Sequence, residues 1–191
     1  IRDPKNPKVV DVIECPSGTR AFHLQAHGDL LLTVNAPSVW NMLEFADGTG
    51  YFNMSPADKL KGQMSRFTPG LRVYDISNPA KPVEIGFMQV NGLGPQRIWY
   101  TGGRYAYVSI HLAGFSDHIF TVVDLIDPRR PEIVGKCWIP GMWIAGGETP
   151  TWKAGRRYAM HHCVVAGNLA YASWRDGGMT VIDISEPTNP K

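Results

Sequence analysis

One pattern occurs three times along the chain and limits the folds that the chain can adopt. Each copy begins as a run of β-branched and apolar residues, reaches an aspartate, and ends with two prolines three positions apart. The copies occupy residues 73–82, 122–131 and 181–190, and residues 3–7 repeat the end of the pattern. Because proline has no amide hydrogen to add to a ladder, each copy predicts a β-strand that is stopped by a rigid turn.

A glycine turn between two apolar runs precedes every complete copy. These turns lie at Gly28, Gly103 and Gly167, and a glycine with a polar neighbour between apolar runs is typical of a β-hairpin. A further apolar run follows the proline pairs of the first two copies. The repeating unit therefore has four antiparallel strands: strand A before the glycine turn, strand B after it, strand C ending at the aspartate, and strand D after the prolines.

The spacing of these units predicts the architecture. Four-stranded units that recur every roughly 40 to 50 residues are typical of a β-propeller. The first prolines of the turns, at positions 4, 79, 128 and 187, are 75, 49 and 59 residues apart, so the excess must lie in insertions. The 20 glycines and 15 prolines among 191 residues agree with many short strands and tight turns. We expect an all-β chain that forms about three four-stranded blades of a larger β-propeller ring, with seven blades as the expected total.

These blades divide the chain, which we interpret as one partial propeller over residues 1–191. The predicted parts are 1–18 as the last strand of a preceding blade, 19–90 as a blade with a long insertion at 36–70, 91–138 as a second blade, and 139–191 as a rim insertion with an incomplete blade. Three blades cannot close a ring and leave exposed sheet edges. We therefore expect a second chain or fragment to complete the propeller, either as a separate gene product or as a cleaved half.

The strand cores and their proline turns resemble the LVIVD repeat family of β-propellers. The likeness extends over nearly the whole chain and implies a fold rather than an activity, because propellers host many functions. A more distant similarity is to the selenium-binding, methanethiol-oxidase type of propeller, and the adjacent His161 and His162 carry it. That similarity implies a divalent or transition metal ion held by histidines along the propeller axis.

The direction of the strands predicts where a site would form. If strand A runs from the upper face down, every B-to-C loop and every D-to-A connection lies on the upper face. The two long insertions, at 36–70 and 139–159, and the loop at 110–118 all belong to these two classes. Loops that gather on a rigid scaffold commonly carry binding and catalytic residues.

Histidines cluster at the same predicted face. Aligning the glycine turns places His23 and His162 at equivalent points of strand A, the innermost strand, where the second blade has Ile98 beside Arg97. Imidazoles from separate blades can converge as metal ligands, although neighbours in a strand point to opposite faces. At every position a packed, hydrogen-bonded histidine remains the alternative. The candidate metal ligands are His23, His162, His161, His111 and His118.

Three further residues are candidates for catalysis: Glu148, Arg97 and Tyr100. Glu148 lies in a loop rich in glycine and proline, where it acts either as a metal ligand or general base or as a simple turn or salt-bridge residue. Arg97 either binds an anionic substrate or stacks on Trp99 or Tyr100.

Aromatic residues are frequent in the two insertions. They either roof a pocket for an apolar or aromatic small molecule or contact the missing blades. Within the first insertion, residues 56–61 are expected to form one helical turn suited to a lid. The aromatic residues are Trp40, Phe45, Tyr51, Phe52, Trp138, Trp143 and Trp152.

Composition excludes several classes of function. Nineteen basic and seventeen acidic side chains are interspersed, so no basic stripe is present for nucleic acid. No apolar run approaches the roughly 20 residues that span a bilayer, so we expect no membrane insertion. Three cysteines are too few and too irregular for a disulfide framework, which slightly favours a soluble, cytoplasmic protein. The chain contains no P-loop, Gly-x-Ser-x-Gly, Cys-x-x-Cys or His-Glu-x-x-His motif.

Two functions remain open. The first is a metal-assisted enzyme that acts on a small aromatic or apolar substrate at the upper mouth of the channel. The second is a non-catalytic LVIVD-type propeller that binds other proteins. We favour the enzyme because a scaffold has little need of histidines at matched positions, and the sequence leaves the reaction undefined.

Overall fold

The repeating pattern builds three antiparallel sheets in the computed structural model of the chain, which describes residues 4–37 and 68–191. This described part contains twelve strands, short 3₁₀ turns and no α-helix. Most of the insertion at 36–70, with the four aromatic residues named above and the helical turn expected at 56–61, lies outside the described residues. The all-β prediction is confirmed, and the three antiparallel sheets are consistent with part of a β-propeller.

The first two sheets have the predicted four-stranded order. In the first, β1 (Thr19–Arg20) pairs with the far end of β3, and the remaining strands lie in the order β2–β3–β4–β5. These strands are β2 (Leu24–His27), β3 (Leu30–Pro37), β4 (Gly70–Asp75) and β5 (Val83–Gln89). The second sheet has the order β6–β7–β8–β9. Its strands are β6 (Gly94–Trp99), β7 (Tyr105–His111), β8 (Ile119–Asp124) and β9 (Glu132–Cys137).

The third sheet has three strands. They are β10 (His162–Ala166), β11 (Leu169–Trp174) and β12 (Gly178–Asp183), in that order. Lys191 forms backbone hydrogen bonds of 2.7 and 3.0 Å with Asp183 in both directions. This is the pairing that Val83 makes with Asp75 in the first sheet, so Lys191 occupies the first position of strand D.

The aspartate of each repeat closes its turn. Asp75, Asp124 and Asp183 each accept a hydrogen bond of 2.8 to 2.9 Å from the backbone N–H two residues further along the chain. Such a bond mimics a backbone turn. The prolines that follow cannot extend strand C, so the chain reverses and re-enters as strand D.

Two apolar clusters hold the sheets together. One fills the space between the first and second sheets, and the other fills the space between the second and third. The middle sheet is consequently covered on both faces, and all six residues of β8 are buried. Close contact between neighbouring sheets explains the glycine in strand D. In the middle sheet, a Cβ at Gly135 would overlap the carbonyl oxygen of Pro187 in the proline turn of the third sheet. A Cβ at Gly86 would overlap that of Pro128 in the same way.

The segment assigned to a preceding blade forms no ladder within the described residues. Val9 is 84% and Val12 is 72% exposed, and the segment lies over the outer face of the first sheet, near Leu31 and Tyr74. Asp11 occupies the position of the strand D glycines, four residues after the second proline. Its assignment as a last strand stays a prediction.

The three cysteines are free thiols in this structure. Cys15 is exposed, Cys137 is half-buried and Cys163 is buried. Burial raises the pKa of Cys163 to about 12. Because the thiolate is the reactive form, Cys163 acts here as a small apolar core residue.

Candidate functional site

The ladders define which positions of the three blades are equivalent. Val34, Ser109 and Ser173 on strand B each lie opposite the strand C residue four positions before the repeat aspartate. These three residues therefore mark one level in all three sheets.

The strand A residues opposite this level are His23, Arg97 and His162. Arg97 pairs with Ser109 and His162 with Ser173, and the carbonyl of His23 accepts a hydrogen bond of 3.0 Å from the N–H of Val34. The residue that matches the two histidines is thus Arg97, and the alignment with Ile98 was wrong by one position.

The length of a turn accounts for this shift. Two residues, 28–29 and 167–168, separate the paired strands of the outer hairpins. In the middle sheet Trp99 pairs with Tyr107, which leaves an additional residue in the turn around Gly102. An alignment on glycine alone cannot detect that addition.

The structure brings His23 and His162 together at the upper end of the inner strands, the end at which β6 and β10 begin. Their ring centroids are 6.0 Å apart in an edge-to-face arrangement, and the Trp99 ring lies 6.2 Å from that of His162. Side chains from the first and third sheets therefore meet in front of the middle sheet. We call this place the mouth and define it by His23, Arg97 and His162.

The ring of His23 is oriented by the backbone of the middle sheet. Its Nδ1 accepts a hydrogen bond of 3.2 Å from the N–H of Ile98. Burial lowers the pKa of His23, and the charge of Arg97 lowers it further. A neutral imidazole whose Nδ1 is an acceptor has its proton on Nε2, so His23 presents an N–H donor.

His161 and His162 share this environment. Burial is the main cause that lowers the pKa of each, and the charge of Arg97 is the second. The backbone N–H of His161 donates a hydrogen bond of 2.8 Å to the carbonyl of Ser173. All three histidines around Arg97 are therefore uncharged near neutral pH.

A second polar group lies beside the mouth, in the loop before β8. The Nδ1 of His118 lies 2.8 Å from a carboxylate oxygen of Asp117, which also receives the guanidinium of Arg157. Burial opposes the ionisation of Asp117, but the hydrogen bonds from His118 and Arg157 outweigh it and hold its pKa well below the usual range. With Nδ1 directed at a carboxylate, His118 keeps Nε2 as a lone-pair acceptor.

His111 lies next to His118 but deeper in the protein. It is 1% exposed, its Nδ1 accepts a hydrogen bond of 3.1 Å from the N–H of Leu93, and its ring lies 5.7 Å from that of His118. The carbonyl of His118 in turn accepts a hydrogen bond of 2.9 Å from the N–H of Met160, the residue before His161. Neighbouring residues thus connect the five predicted histidines from the core at His111 to the mouth at His23.

Glu148 is held by its own loop. Its carboxylate accepts hydrogen bonds from the Trp138 side chain at 3.1 and 3.3 Å and from the backbone N–H groups of Gly141 and Trp143 at 2.7 and 3.0 Å. The bond from Trp143 is the main cause that lowers its pKa. These contacts favour an anchor of the second insertion, and the role as ligand or base stays a prediction.

Tyr100 lies at the opposite end of β6 from the mouth. It is 4% exposed, donates a hydrogen bond of 3.3 Å to the carbonyl of Gly103, and packs with its ring 6.2 Å from His27. Burial raises its pKa. These contacts do not support its predicted catalytic role. Arg97 stacks on a different ring from the two that the sequence suggested: its guanidinium carbon lies 5.3 Å from the centre of the Phe22 ring.

The aromatic residues of the second insertion pack on one another. Trp138 and Trp143 both contact Phe115, with centroids 5.1 and 6.4 Å from its ring, and Trp152 stacks on Tyr158 at 4.3 Å. Backbone hydrogen bonds join this insertion to the loop before β8, from Ser116 to Met142 among others. The two upper loops therefore form one packed unit.

A metal ion at the mouth would need several histidine or carboxylate side chains directed at one point. Within residues 4–37 and 68–191, no group of three His, Cys, Asp or Glu side chains could hold one. The Nδ1 of His23 is engaged with the backbone and its Nε2 carries a proton, so neither nitrogen is a ready ligand. The positive charge of Arg97 beside the three imidazoles also opposes a cation. The described residues therefore do not fit a metal centre by themselves.

Sequence reasoning missed four residues of the site. Arg20, Phe22, Asp117 and Arg157 lie at the mouth or beside it, in irregular or very short elements. The adjacent Asp117 and His118 were a usable signal, because an acid next to a histidine can orient it. The positions of the other three depend on contacts between sheets, which no local pattern encodes.

Two comparisons bear on this chain. Residues 67–90 and 158–191 match the model of the LVIVD repeat. No curated protein matches the chain. Within the described residues, no helix is long and apolar enough to cross a membrane.

Proposed function

The chain carries LVIVD repeats, and we propose that it is part of a propeller enzyme whose small-molecule site is the mouth around His23, Arg97 and His162. The observation that carries this proposal is which residues occupy the three equivalent positions. One level of three successive inner strands holds two imidazoles and one guanidinium, and the imidazoles lie 6.0 Å apart. Core packing does not require polar residues at all three positions.

The protonation states define the chemistry available at the mouth. Neutral imidazoles exchange protons with a substrate near neutral pH, which is the usual role of histidine as a general acid or base. His23 acts as the hydrogen-bond donor through Nε2, because the backbone occupies Nδ1. His118 acts as the base, because the hydrogen bond between its Nδ1 and Asp117 orients the ring and leaves Nε2 as the proton acceptor.

Arg97 supplies the fixed charge of the site. Its position between the two histidines allows it to bind the substrate and to keep both rings neutral, since its charge lowers the pKa of each. A guanidinium does not lose its proton in this pH range. Binding and proton transfer are thereby assigned to different side chains.

Activity on an undefined substrate can be tested by depletion of a mixture. The full-length protein is incubated with a defined mixture of small metabolites, and each component is followed by mass spectrometry. We expect at least one component to be consumed, and we expect His162→Gln and His118→Gln each to slow that consumption by about 100-fold or more, the usual contribution of an acid–base group.

His27→Gln is the matched control, because His27 is an exposed histidine at the lower end of strand β2. It should retain the wild-type rate. If no component is consumed, or if His27→Gln loses as much activity as His162→Gln, the proposal is wrong.

A metal-assisted reaction is the second candidate. It requires ligands beyond the described residues, which form no complete ligand set, and the orientation of a single imidazole, that of His118, favours it. A carboxylate on one imidazole nitrogen is the usual support of a metal-ligating histidine. Elemental analysis of the purified full-length protein decides between the two candidates. Stoichiometric metal that is lost in His118→Gln would support this second candidate, whereas metal-free active protein would remove it.

A further inference from the structure

Two arginines from different sheets share one aromatic ring at the edge of the mouth. The guanidinium carbon of Arg20 on β1 lies 4.6 Å from the centre of the Phe22 ring, and that of Arg97 on β6 lies 5.3 Å from it. Both distances are within the range of a cation–π contact. The ring therefore holds two like charges close together.

Neither arginine has an acidic partner in the part of the chain that the structure describes. The arginine ion pairs of that part join Arg72 to Glu84, Arg104 to Asp124, and Arg157 to Asp117. Burial lowers the pKa of Arg97, and the neighbouring charge of Arg20 adds to this effect. The repulsion between the two groups is thus not offset by a carboxylate of the described chain.

Within residues 4–37 and 68–191, few of the donors on the two guanidinium groups have a partner. Arg97 donates one hydrogen bond of 3.0 Å to the carbonyl of Gln96. The Nε of Arg20 is buried and has no hydrogen-bond partner among these residues. Because a guanidinium has five N–H donors and a buried donor without a partner is unfavourable, this arrangement calls for an acceptor from outside the chain.

A third arginine, Arg175, has a strained backbone. It follows β11 with a φ of 28°, the one positive φ of a non-glycine residue among the described positions. Burial lowers the pKa of Arg175, and the charges of Arg157 and Arg97 lower it further, against the opposing effect of Asp117 and Asp176. Strain of this kind persists where the surrounding structure fixes a residue, and it is concentrated at binding and catalytic sites.

We propose that Arg20 and Arg97, held on the Phe22 ring, form a seat for the carboxylate or phosphate group of the small molecule that enters the mouth. The two groups share the required chemistry: a compact oxyanion that accepts several N–H donors and neutralises adjacent guanidinium charges. His23 adds a neutral N–H donor beside Arg97. The inference rests on the proposed function only for the identity of the substrate, because the seat itself is defined by the arginines.

The seat is tested by anion binding rather than by turnover. The full-length protein is titrated calorimetrically at low ionic strength with two probes, inorganic phosphate and benzoate. We expect at least one of them to bind, and we expect Arg20→Gln and Arg97→Gln each to weaken that binding by about tenfold or more, since each removes one charged set of donors. Binding of benzoate alone assigns a carboxylate, and binding of phosphate alone assigns a phosphate.

Two further variants keep the test decisive. Arg97→Lys retains the charge but loses the planar fork, so it should also weaken binding, and it remains informative if Arg97→Gln fails to fold. Arg130→Gln removes an exposed arginine from the lower proline turn and should leave the affinity unchanged. If neither probe binds, the proposal is wrong. It is also wrong if Arg130→Gln weakens binding as much as Arg20→Gln and Arg97→Gln do.

The outcomes separate this inference from the proposed enzyme. If the anions bind through Arg20 and Arg97 while no metabolite is consumed, the seat stands and the enzymatic function falls. If a metabolite is consumed at a rate that Arg20→Gln and Arg97→Gln leave unchanged, the enzyme stands and the seat falls.

Discussion

Strands β8 and β12 carry the same repeat, yet their surroundings differ. All six residues of β8 are buried, whereas only Ile182 of the six residues in β12 is buried. Phe120 and Met179 hold the same position, four residues before the aspartate, and are 0% and 69% exposed. The repeat therefore specifies a strand and its turn, while the neighbouring sheets decide which of its side chains form core.

The largest expected effect is at this matched pair of positions. In this chain, Phe120→Ala should lower the free energy of unfolding by about 3 to 5 kcal/mol, because it leaves a cavity between the second and third sheets. Met179→Ala should change it by less than about 0.5 kcal/mol, because the side chain contributes little to packing. Urea denaturation followed by tryptophan fluorescence measures both.

An equal loss in the free energy of unfolding for the two variants would contradict the difference in burial between β8 and β12. It would mean that another sheet covers β12 in solution, as the expected partner chain or fragment would do. A small loss at Phe120 would instead contradict the packing of the middle sheet.

A smaller effect is expected where strand D meets the next turn. Gly135→Ala places a methyl group against the carbonyl of Pro187, so it should cost about 1 to 3 kcal/mol, the usual range for an overpacked contact. Glu132→Ala, at an exposed position of the same strand, is the control and should cost less than about 0.5 kcal/mol. Thermal unfolding of both variants tests whether the second and third sheets are fitted this closely, and equal midpoints would show that they are not.

The smallest effect concerns pH and the arginine of the middle sheet. The folded chain lowers the pKa values of His23, His161 and His162 below the ordinary value of 6.5 for a histidine. The unfolded chain therefore binds more protons just below pH 6.5, and the free energy of unfolding falls as the pH decreases from there until the lowered folded pKa values are passed. Above pH 6.5 the histidines are neutral in both states, and no stability is lost through their protonation.

Arg97→Gln should weaken this pH dependence. Removal of the second cause of the shift lets the three pKa values rise toward 6.5, while burial continues to lower them. Histidine titrations by NMR measure the pKa values directly, and melting temperatures between pH 7.5 and 5.5 report the linked stability. Unchanged pKa values in Arg97→Gln would contradict the placement of Arg97 among the histidines.

Much of the fold was accessible from local signals. The aspartate and the proline pair of each repeat predicted the end of strand C, and Asp75, Asp124 and Asp183 form that turn with the same hydrogen bond. The glycine turns located the hairpins, and their alignment predicted that His23 and His162 would meet. These predictions succeeded because each depends on a few adjacent residues whose backbone preferences are strong.

The parts that failed or stayed open depend on contacts between distant segments. One additional turn residue moved Arg97, rather than Ile98, to the level of the histidines, and a one-residue change of register reverses which side chain faces the mouth. Glu148 was a plausible ligand by composition, but its partners Trp138, Gly141 and Trp143 hold it in its own loop. Tyr100 was a candidate for catalysis, but three residues of a strand separate it from Arg97 and carry it toward the other end of the sheet.

Local sequence signals were enough to predict the repeating strands, their turns and the four-stranded units. The packing of the sheets was needed to bring the rings of His23 and His162 together, to place Arg97 at their level and Arg20 beside it on the Phe22 ring, and to make β8 core while β12 is surface. The physical reason is that turns and strands arise from interactions within a few residues, whereas burial, charge neutralisation and pKa depend on which segments the fold brings together.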